Sequence, residues 1–292
     1  LIVRSLSIHK GFISLTLILS FITSVHSKNS DYIYPKTSPS YSNYSTLGLV
    51  HLPNARFQPE GSLAFSWSHL DPYIRGSIIA YPFDWFEAAY HYTDINNALY
   101  SDVEQFSGDQ TYKDKGFDLK IRLIPEMGYF PQVAIGIRDL AGTGTFEAEY
   151  LAFSKLIKNV DLTFGVGWGD LAHKKYKNPL TSVSQGFDSR DINNDTQGGE
   201  ISLDRYFSGP IDFFGGVEVF LPNLDGLRLK IEYDSTNYDT EAFAAGESSF
   251  QYAFQPIEPT ESRVNYGLVY PASNNLHFKL SYIKGNTLNF GF

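Results

Sequence analysis

The chain has 292 residues, of which 16% are aromatic and only 19% charged, with no Cys, a single Met and a formal net charge of −9. No disulfide scaffold, thiolate metal site or cysteine nucleophile can be built from this set. The 42% apolar content argues against disorder, and the acidic balance excludes a nucleic-acid binder, which must neutralise phosphates in bulk.

In chain order the first element is a leader. Arg4 and Lys10 precede an uncharged stretch from Gly11 to Val25, apolar with scattered hydroxyls from Phe12 to Ile22, and Val25-His26-Ser27 supplies small residues at the −3 and −1 positions of a cleavage site. Residues 1–27 thus read as a secretory signal peptide. The competing reading is a membrane anchor helix, but the run is short for a span and no basic stop-transfer cluster follows. Beyond it no apolar run approaches the ~18–20 residues of a spanning helix. The chain begins at Leu1 rather than Met, as a fragment or a chain with an unusual start would. No Cys follows the leader, so a lipid-modified N-terminal cysteine is not expected. Residues 28–46, rich in Ser, Tyr, Asn and Pro, read as an extended linker or plug-like arm rather than packed structure.

From residue 47 to 292 the pattern has a period of two, the signature of strands with one apolar face. Leu63, Phe65 and Trp67 form one row, and Phe86, Ala88, Tyr90 and Tyr92 another. Phe117, Leu119, Ile121 and Leu123 alternate with Asp118, Lys120 and Arg122; Val133, Ile135 and Ile137 with Ala134, Gly136 and Arg138; Phe146, Ala148, Tyr150 and Ala152 with Glu147 and Glu149. Val160 to Trp168 alternates with Asp161, Thr163, Gly165 and Gly167, and Leu227 to Tyr233 with Arg228, Lys230 and Glu232. Rows at Val264–Tyr270, Leu276–Tyr282 (against His277, Lys279 and Ser281) and Leu288–Phe292 close the chain. Residues 74–81, 199–206, 211–220 and 248–254 are weaker strand candidates. The rows give roughly 13 or 14 strands of 7–10 residues joined mostly by short turns, as antiparallel neighbours are. Longer polar gaps lie near 94–115, 169–198 and 235–247. The first two follow odd-numbered strands; the third breaks that parity, which points to one miscounted strand between 200 and 255.

Two all-β architectures share this pattern. A soluble sandwich or barrel buries the apolar face, whereas a transmembrane barrel turns it to lipid and encloses the polar face. Aromatics near strand ends (Trp67, Tyr90, Tyr92, Trp168, Tyr233, Tyr270, Tyr282) suit interfacial girdles. Charge in mid-strand on the opposite face suits a lumen. The expected fold is therefore an antiparallel transmembrane β-barrel of roughly 12–14 strands, possessing a lumen row of Lys120, Arg122, Arg138, Glu147, Glu149, Asp161, Arg228, Lys230 and Lys279. That row reads either as a polar path for a sugar chain or, by preference, as a salt-bridged filling of a narrow interior.

The chain resembles the YjbH-type (GfcD-like) outer-membrane proteins of exopolysaccharide and capsule gene clusters. The resemblance rests on an ordered series: Gly48-Leu49-Val50-His51-Leu52-Pro53-Asn54-Ala55-Arg56 with Pro59-Glu60-Gly61, then Tyr92-Thr93-Asp94, the stretch Phe106 to Asp118, Pro131 to Asp139, Gly142-Thr143-Gly144, Glu149-Tyr150-Leu151, Gly165-Val166-Gly167-Trp168-Gly169 and Pro222 to Leu227. It implies a β-barrel in the outer membrane of a Gram-negative cell, in contact with outer-membrane lipid, and a part in making, exporting or assembling an extracellular polysaccharide alongside other export proteins. Many members are lipid-anchored, and the absence of Cys departs from that. Members are often longer, with two barrels in tandem, of which this chain would hold the first.

Signals for catalysis are weak. Asp191 to Asp195 resembles the start of a calcium loop, but Thr196 and Ser202 stand where Gly and Glu belong, so a solvated surface loop is expected. His51, His91, His173 and His277 show no metal-ligand spacing and read as surface or girdle residues. Asp84 and Glu87, three apart on a strand, face opposite sides and would not converge as a glycosidase pair. No nucleophile elbow or phosphate loop is present. The expectation is a non-enzymatic protein with no cofactor or metal; a soluble secreted carbohydrate-binding domain and an outer-membrane hydrolase are the alternatives.

Overall fold

A computed structural model describes residues 39–44, 46–101, 103–142, 144–190, 205–238 and 257–292. Twelve strands follow in chain order: β1 (Ser62–Leu70), β2 (Tyr73–Phe83), β3 (Phe86–Leu99), β4 (Thr111–Ile124), β5 (Gln132–Leu140), β6 (Ala148–Ile157), β7 (Val160–Gly169), β8 (Ile211–Leu221), β9 (Leu227–Tyr233), β10 (Val264–Ser273), β11 (Leu276–Ile283) and β12 (Thr287–Gly291). Each pairs antiparallel with its neighbour, and β1 pairs with β12 through Ser68↔Gly291, His69↔Phe290 and Leu70↔Asn289, closing the sheet into a barrel. Closure leaves no sheet edge, so every strand satisfies its backbone groups on both sides. The leader, residues 28–38 and the calcium-like stretch lie outside the described residues.

The alternation decides which face is which. On β11, Leu276, Phe278, Leu280 and Tyr282 are 41%, 38%, 45% and 42% exposed, while Lys279 and Ser281 between them are buried. On β4, Phe117, Ile121 and Leu123 are exposed while Asp118 and Lys120 are buried. The apolar face therefore looks out of the barrel and the ionic face looks in. Side chains of successive strands merge into outer aromatic clusters. Trp67 stacks on Phe292 at 5.7 Å, Phe164 on Phe213 at 5.9 Å, and Tyr90 packs on Phe117 at 5.4 Å.

The long connections, 100–110, 170–210 and 234–263, follow β3, β7 and β9, so all three leave the same end of the barrel. The parity conflict in the sequence disappears because the described chain passes from β7 to β8 without a strand at 205–210; residues 199–204 and 248–254 lie outside the description. The weaker candidates at 74–81 and 211–220 are the full strands β2 and β8. Turns at the opposite end are short, and Lys158, at φ 58°, and Asp225-Gly226, at φ 54° and 78°, take the left-handed conformation that tight hairpins need.

Two strands outrun the apolar rows: β3 and β4 are each 14 residues long. Of their extra pairs, Thr93↔Asp114 and Asp94↔Lys113 carry polar side chains on both faces, while Ile95, opposite Tyr112, is buried beside Tyr44 and Phe146. The backbone ladder persists past the apolar band, but the period that betrays it does not.

Candidate functional site

The interior of the barrel is occupied by the chain's own segment 39–58. Tyr44, Leu47, Leu49, Val50, Leu52 and Ala55 are each 2% exposed or less. Of residues 28–46, read as an extended linker or plug-like arm rather than packed structure, 39–44 and 46 are among the described residues, and they pack inside the barrel. The segment is short of strand pairing, with only isolated bridges such as Tyr41↔Leu47 and Gly48↔Pro53, so its backbone groups need partners from the barrel wall. The inward ionic row supplies them.

Lys230 Nζ donates to the carbonyls of Gly48 at 2.7 Å and Leu49 at 2.9 Å. Lys279 Nζ donates to Ser42 O at 2.9 Å and to Ser66 Oγ at 2.8 Å. The Glu232 carboxylate accepts from three consecutive amides, Val50 N at 2.9 Å, His51 N at 2.9 Å and Leu52 N at 3.1 Å, and from Asn265 Nδ2 at 2.9 Å. Arg138 lies over the Tyr44 ring at 3.8 Å and donates to His51 O at 3.2 Å. Near the short-turn end Arg56 binds both oxygens of Asp161, at 2.8 and 2.7 Å, and reaches Glu126 Oε2 at 2.6 Å. A planar guanidinium with a two-pronged carboxylate partner fixes orientation as well as position. Ser154 Oγ accepts from Ala55 N at 2.9 Å, and Gln132 Nε2 donates to Ala55 O.

Where the wall faces the apolar side of the segment it is apolar too. Leu52, Ala55 and Phe57 pack against Ala134, Ala148, Tyr150, Ala152 and Phe214. Gly136 and Gly165 make room for this: a Cβ on either would strike the ring of Tyr150 or Phe214.

The nine residues read as one lumen row separate into three groups. Lys120, Arg138, Asp161, Arg228, Lys230 and Lys279 are buried and on the inward face. Lys120 pairs with Glu87 at 2.9 Å beneath Phe57, and Arg228 with Glu218 at 3.4 Å. Arg122 sits at the rim, paired with the exposed Asp84 at 2.9 Å. Glu149 differs from the expectation. The register sets it opposite Ile137 and Trp168, on the outward face, so Ala148, Tyr150 and Ala152 point inward instead. Its burial comes from the β7–β8 connection, where Arg190 grips both carboxylate oxygens at 2.8 and 2.9 Å and Phe207 N donates at 2.8 Å. Glu147, just before β6, pairs with Arg190 at 3.2 Å and Arg205 at 2.8 Å. The row misleads because in this strand the apolar face packs on the segment and the charged face is covered by a loop. Asp84 and Glu87 do not converge, each having its own cation.

Two histidines expected at the surface are buried. His51 lies on the segment, its ring edge-on to Tyr44 at 6.0 Å. Burial, helped by Arg75, Arg138 and Lys284 against the pull of Asp234, lowers its pKa from 6.5 to about 3. His51 is thus neutral when folded but takes a proton below pH 6.5 once unfolded, so its contribution to stability is complete above 6.5 and is lost as the pH falls toward 3. The unfolding midpoint of the wild type should therefore drop more steeply between pH 6.5 and 4 than that of His51→Gln; parallel profiles would contradict this. His91, on β3, is surrounded by Asp114, Asp118 and Asp139.

Sequence reasoning missed Glu232, Glu218, Glu87, Arg75 and Arg56 as interior residues. Parity would have found Glu232, which stands in one row with Arg228 and Lys230. The role of Arg56 had no local signal, because Asp161 is 105 positions away.

The Lys120–Glu87 pair permits a direct test. Both side chains are 2% exposed or less, and removing one partner of such a pair strands a buried charge at about 3–5 kcal/mol. Lys120→Met should lower unfolding stability in detergent by that order. The double variant Lys120→Met with Glu87→Leu should regain most of it, as followed by the fluorescence of the three Trp residues.

Fold and interior together define a closed twelve-strand β-barrel with an outward apolar surface and a polar lumen tied to the chain's own N-terminal segment. The family described as exopolysaccharide biosynthesis protein YbjH matches residues 40–292. The chain is 42% identical over 254 residues to the uncharacterized lipoprotein YjbH of Escherichia coli (strain K12), covering 87% of this chain and 34% of that protein. It therefore belongs to the YjbH exopolysaccharide biosynthesis family, and spans about a third of the length of that relative. The matched region begins at the interior segment, so the segment and the barrel fall within one family unit.

Proposed function

We propose that this chain is a non-enzymatic outer-membrane barrel serving exopolysaccharide biosynthesis, export or assembly, with its lumen closed by residues 39–58. The observation that carries the reading is the outward apolar surface of a closed sheet. Leu63, Phe65, Ile78, Phe164, Leu280 and Leu288 are each 45% exposed or more, a cost in water and an advantage against acyl chains. A lipoprotein relative supports an exported, membrane-associated protein, and family membership supports the polysaccharide role. Lys230, Lys279, Glu232 and Asp161 are engaged by the segment, and Lys120 and Arg228 by neighbouring carboxylates, which argues for anchoring rather than for acid–base chemistry. In this reading lipid is the partner of the outer surface, and a polymer or assembly protein meets the end bearing the long connections.

Fractionation tests the placement. The chain should sediment with outer membranes, need detergent for release and migrate differently on a gel before and after boiling. Release into detergent-free buffer would overturn the reading. For the role, loss of the chain should reduce surface polysaccharide while leaving precursor synthesis intact.

A further inference from the structure

We propose that His91, Asp114 and Asp139 form a binding site for one divalent metal ion of the zinc class, holding β3, β4 and β5 together near the end that carries the long connections. One ligand atom from each of the three lies within 4.8 Å of the others. His91 Nε2 is 3.5 Å from Asp114 Oδ2 and 3.9 Å from Asp139 Oδ1. Zinc bonds of about 2.0–2.2 Å in tetrahedral geometry separate ligand atoms by about 3.4 Å, so the two histidine edges are within about half an ångström of that spacing, and the Asp114–Asp139 edge, inside 4.8 Å, closes by side-chain rotation of about 1.4 Å at most. Water would complete the fourth position.

Independent features point to a ligand rather than to a simple ion pair. His91 Nε2 and Asp139 Oδ1 are buried and make no hydrogen bond, although both are aimed into the cluster. The other Asp139 oxygen is already used, accepting from Phe146 N at 3.3 Å. The far nitrogen of the imidazole, Nδ1, faces Asp118 Oδ1 at 3.3 Å without a hydrogen bond, and that oxygen is itself positioned by Asp139 N at 2.9 Å. Metal binding at Nε2 would draw the ring into that contact, since a carboxylate behind a metal-bound histidine fixes its tautomer. The two candidate side chains depend on glycines: a Cβ at Gly116 or at Gly142 would collide with Asp139 Oδ1, and at Gly116 with the His91 ring as well. Three carboxylates around one imidazole leave negative charge in a buried place, and a divalent cation offsets it. Arg138, a neighbouring cation, is engaged by the Tyr44 ring and His51 O instead. One nitrogen and two oxygens suit zinc, since calcium takes six to eight oxygens.

The test uses the chain purified from membranes in detergent, stripped with a chelator and titrated with ZnCl2 or CoCl2. One equivalent of Zn2+ should bind, and Co2+ should develop the visible d–d bands of a tetrahedral N/O site. Asp139→Asn should abolish the bands, and Asp118→Asn, which touches only the orienting carboxylate, should weaken Zn2+ about 10–100-fold. Each variant is checked for folding by its heat-dependent gel shift. A folded wild type that binds no Zn2+, or an Asp139→Asn protein that binds as the wild type does, would overturn the proposal.

Discussion

Replacing Glu232 by Ala is expected to free the interior segment and to destabilise the barrel by several kcal/mol. The carboxylate accepts from three consecutive buried amides, those of Val50, His51 and Leu52, and it also takes the amide group of Asn265. Hydrogen bonds to a charged group contribute about 1.5–3 kcal/mol each, and a stranded buried donor costs about 1–3 kcal/mol. Because the four bonds share one acceptor their effects do not add fully, so a total of about 4 kcal/mol is the expected order. Glu232→Gln keeps one oxygen acceptor and should lose less. With the segment loosened, the peptide bond after Arg56 becomes available to trypsin. Equilibrium unfolding and a trypsin time course read the two consequences separately. A variant as stable and as resistant as the wild type would show that the segment is held elsewhere.

Deleting residues 39–58 is expected to convert a closed barrel into a conducting one. Barrels of about 8 strands fill their interior with their own side chains, and those of 16–18 leave an aqueous channel; twelve strands fall between. Here the wall spends its long side chains on the segment rather than on the opposite wall. Lys230, Lys279, Glu232 and Asp161 all end on segment atoms. Leu47 packs between Ile79, Tyr81 and Ala89, and Val50 against Leu70 and Ile283. Removing the segment leaves those groups facing a space that water will fill. In planar bilayers the intact chain should be nearly silent and the deletion should pass ions, with reduced stability because each large buried apolar side chain contributes about 1.5–3 kcal/mol. A silent, folded deletion variant would mean that the wall closes on itself.

How much of this was legible depended on whether the cause was local. Period-two rows placed β4, β9 and β11 and their inward lysines, because alternation is a property of neighbours. The same rule failed at β6, where Tyr150 packs inward over Gly136 and a loop arginine from position 190 covers Glu149. Strand extensions such as Asp94↔Lys113 were invisible because both faces there are polar. The interior segment carries no period, and its partners lie up to 238 residues away, as Asn43 does from Ser281. The grouping of His91 with Asp114, Asp118 and Asp139 likewise arises from register between three strands, and no spacing along the chain announces it.

The central claim is the direction in which the apolar rows face, and the absence of Cys makes it measurable. Single cysteines at Leu119, Leu280 and Phe65 can each be labelled with a fluorophore in the folded, lipid-reconstituted chain, and single cysteines at the buried alternate positions Asp118, Ser281 and Ser66 can be challenged with the same reagent. Probes at 119, 280 and 65 should be quenched by nitroxides on lipid acyl chains, and the thiols at 118, 281 and 66 should stay unlabelled until the chain is unfolded. Quenching by an aqueous agent at 119, 280 and 65, without quenching from the acyl chains, would contradict the account.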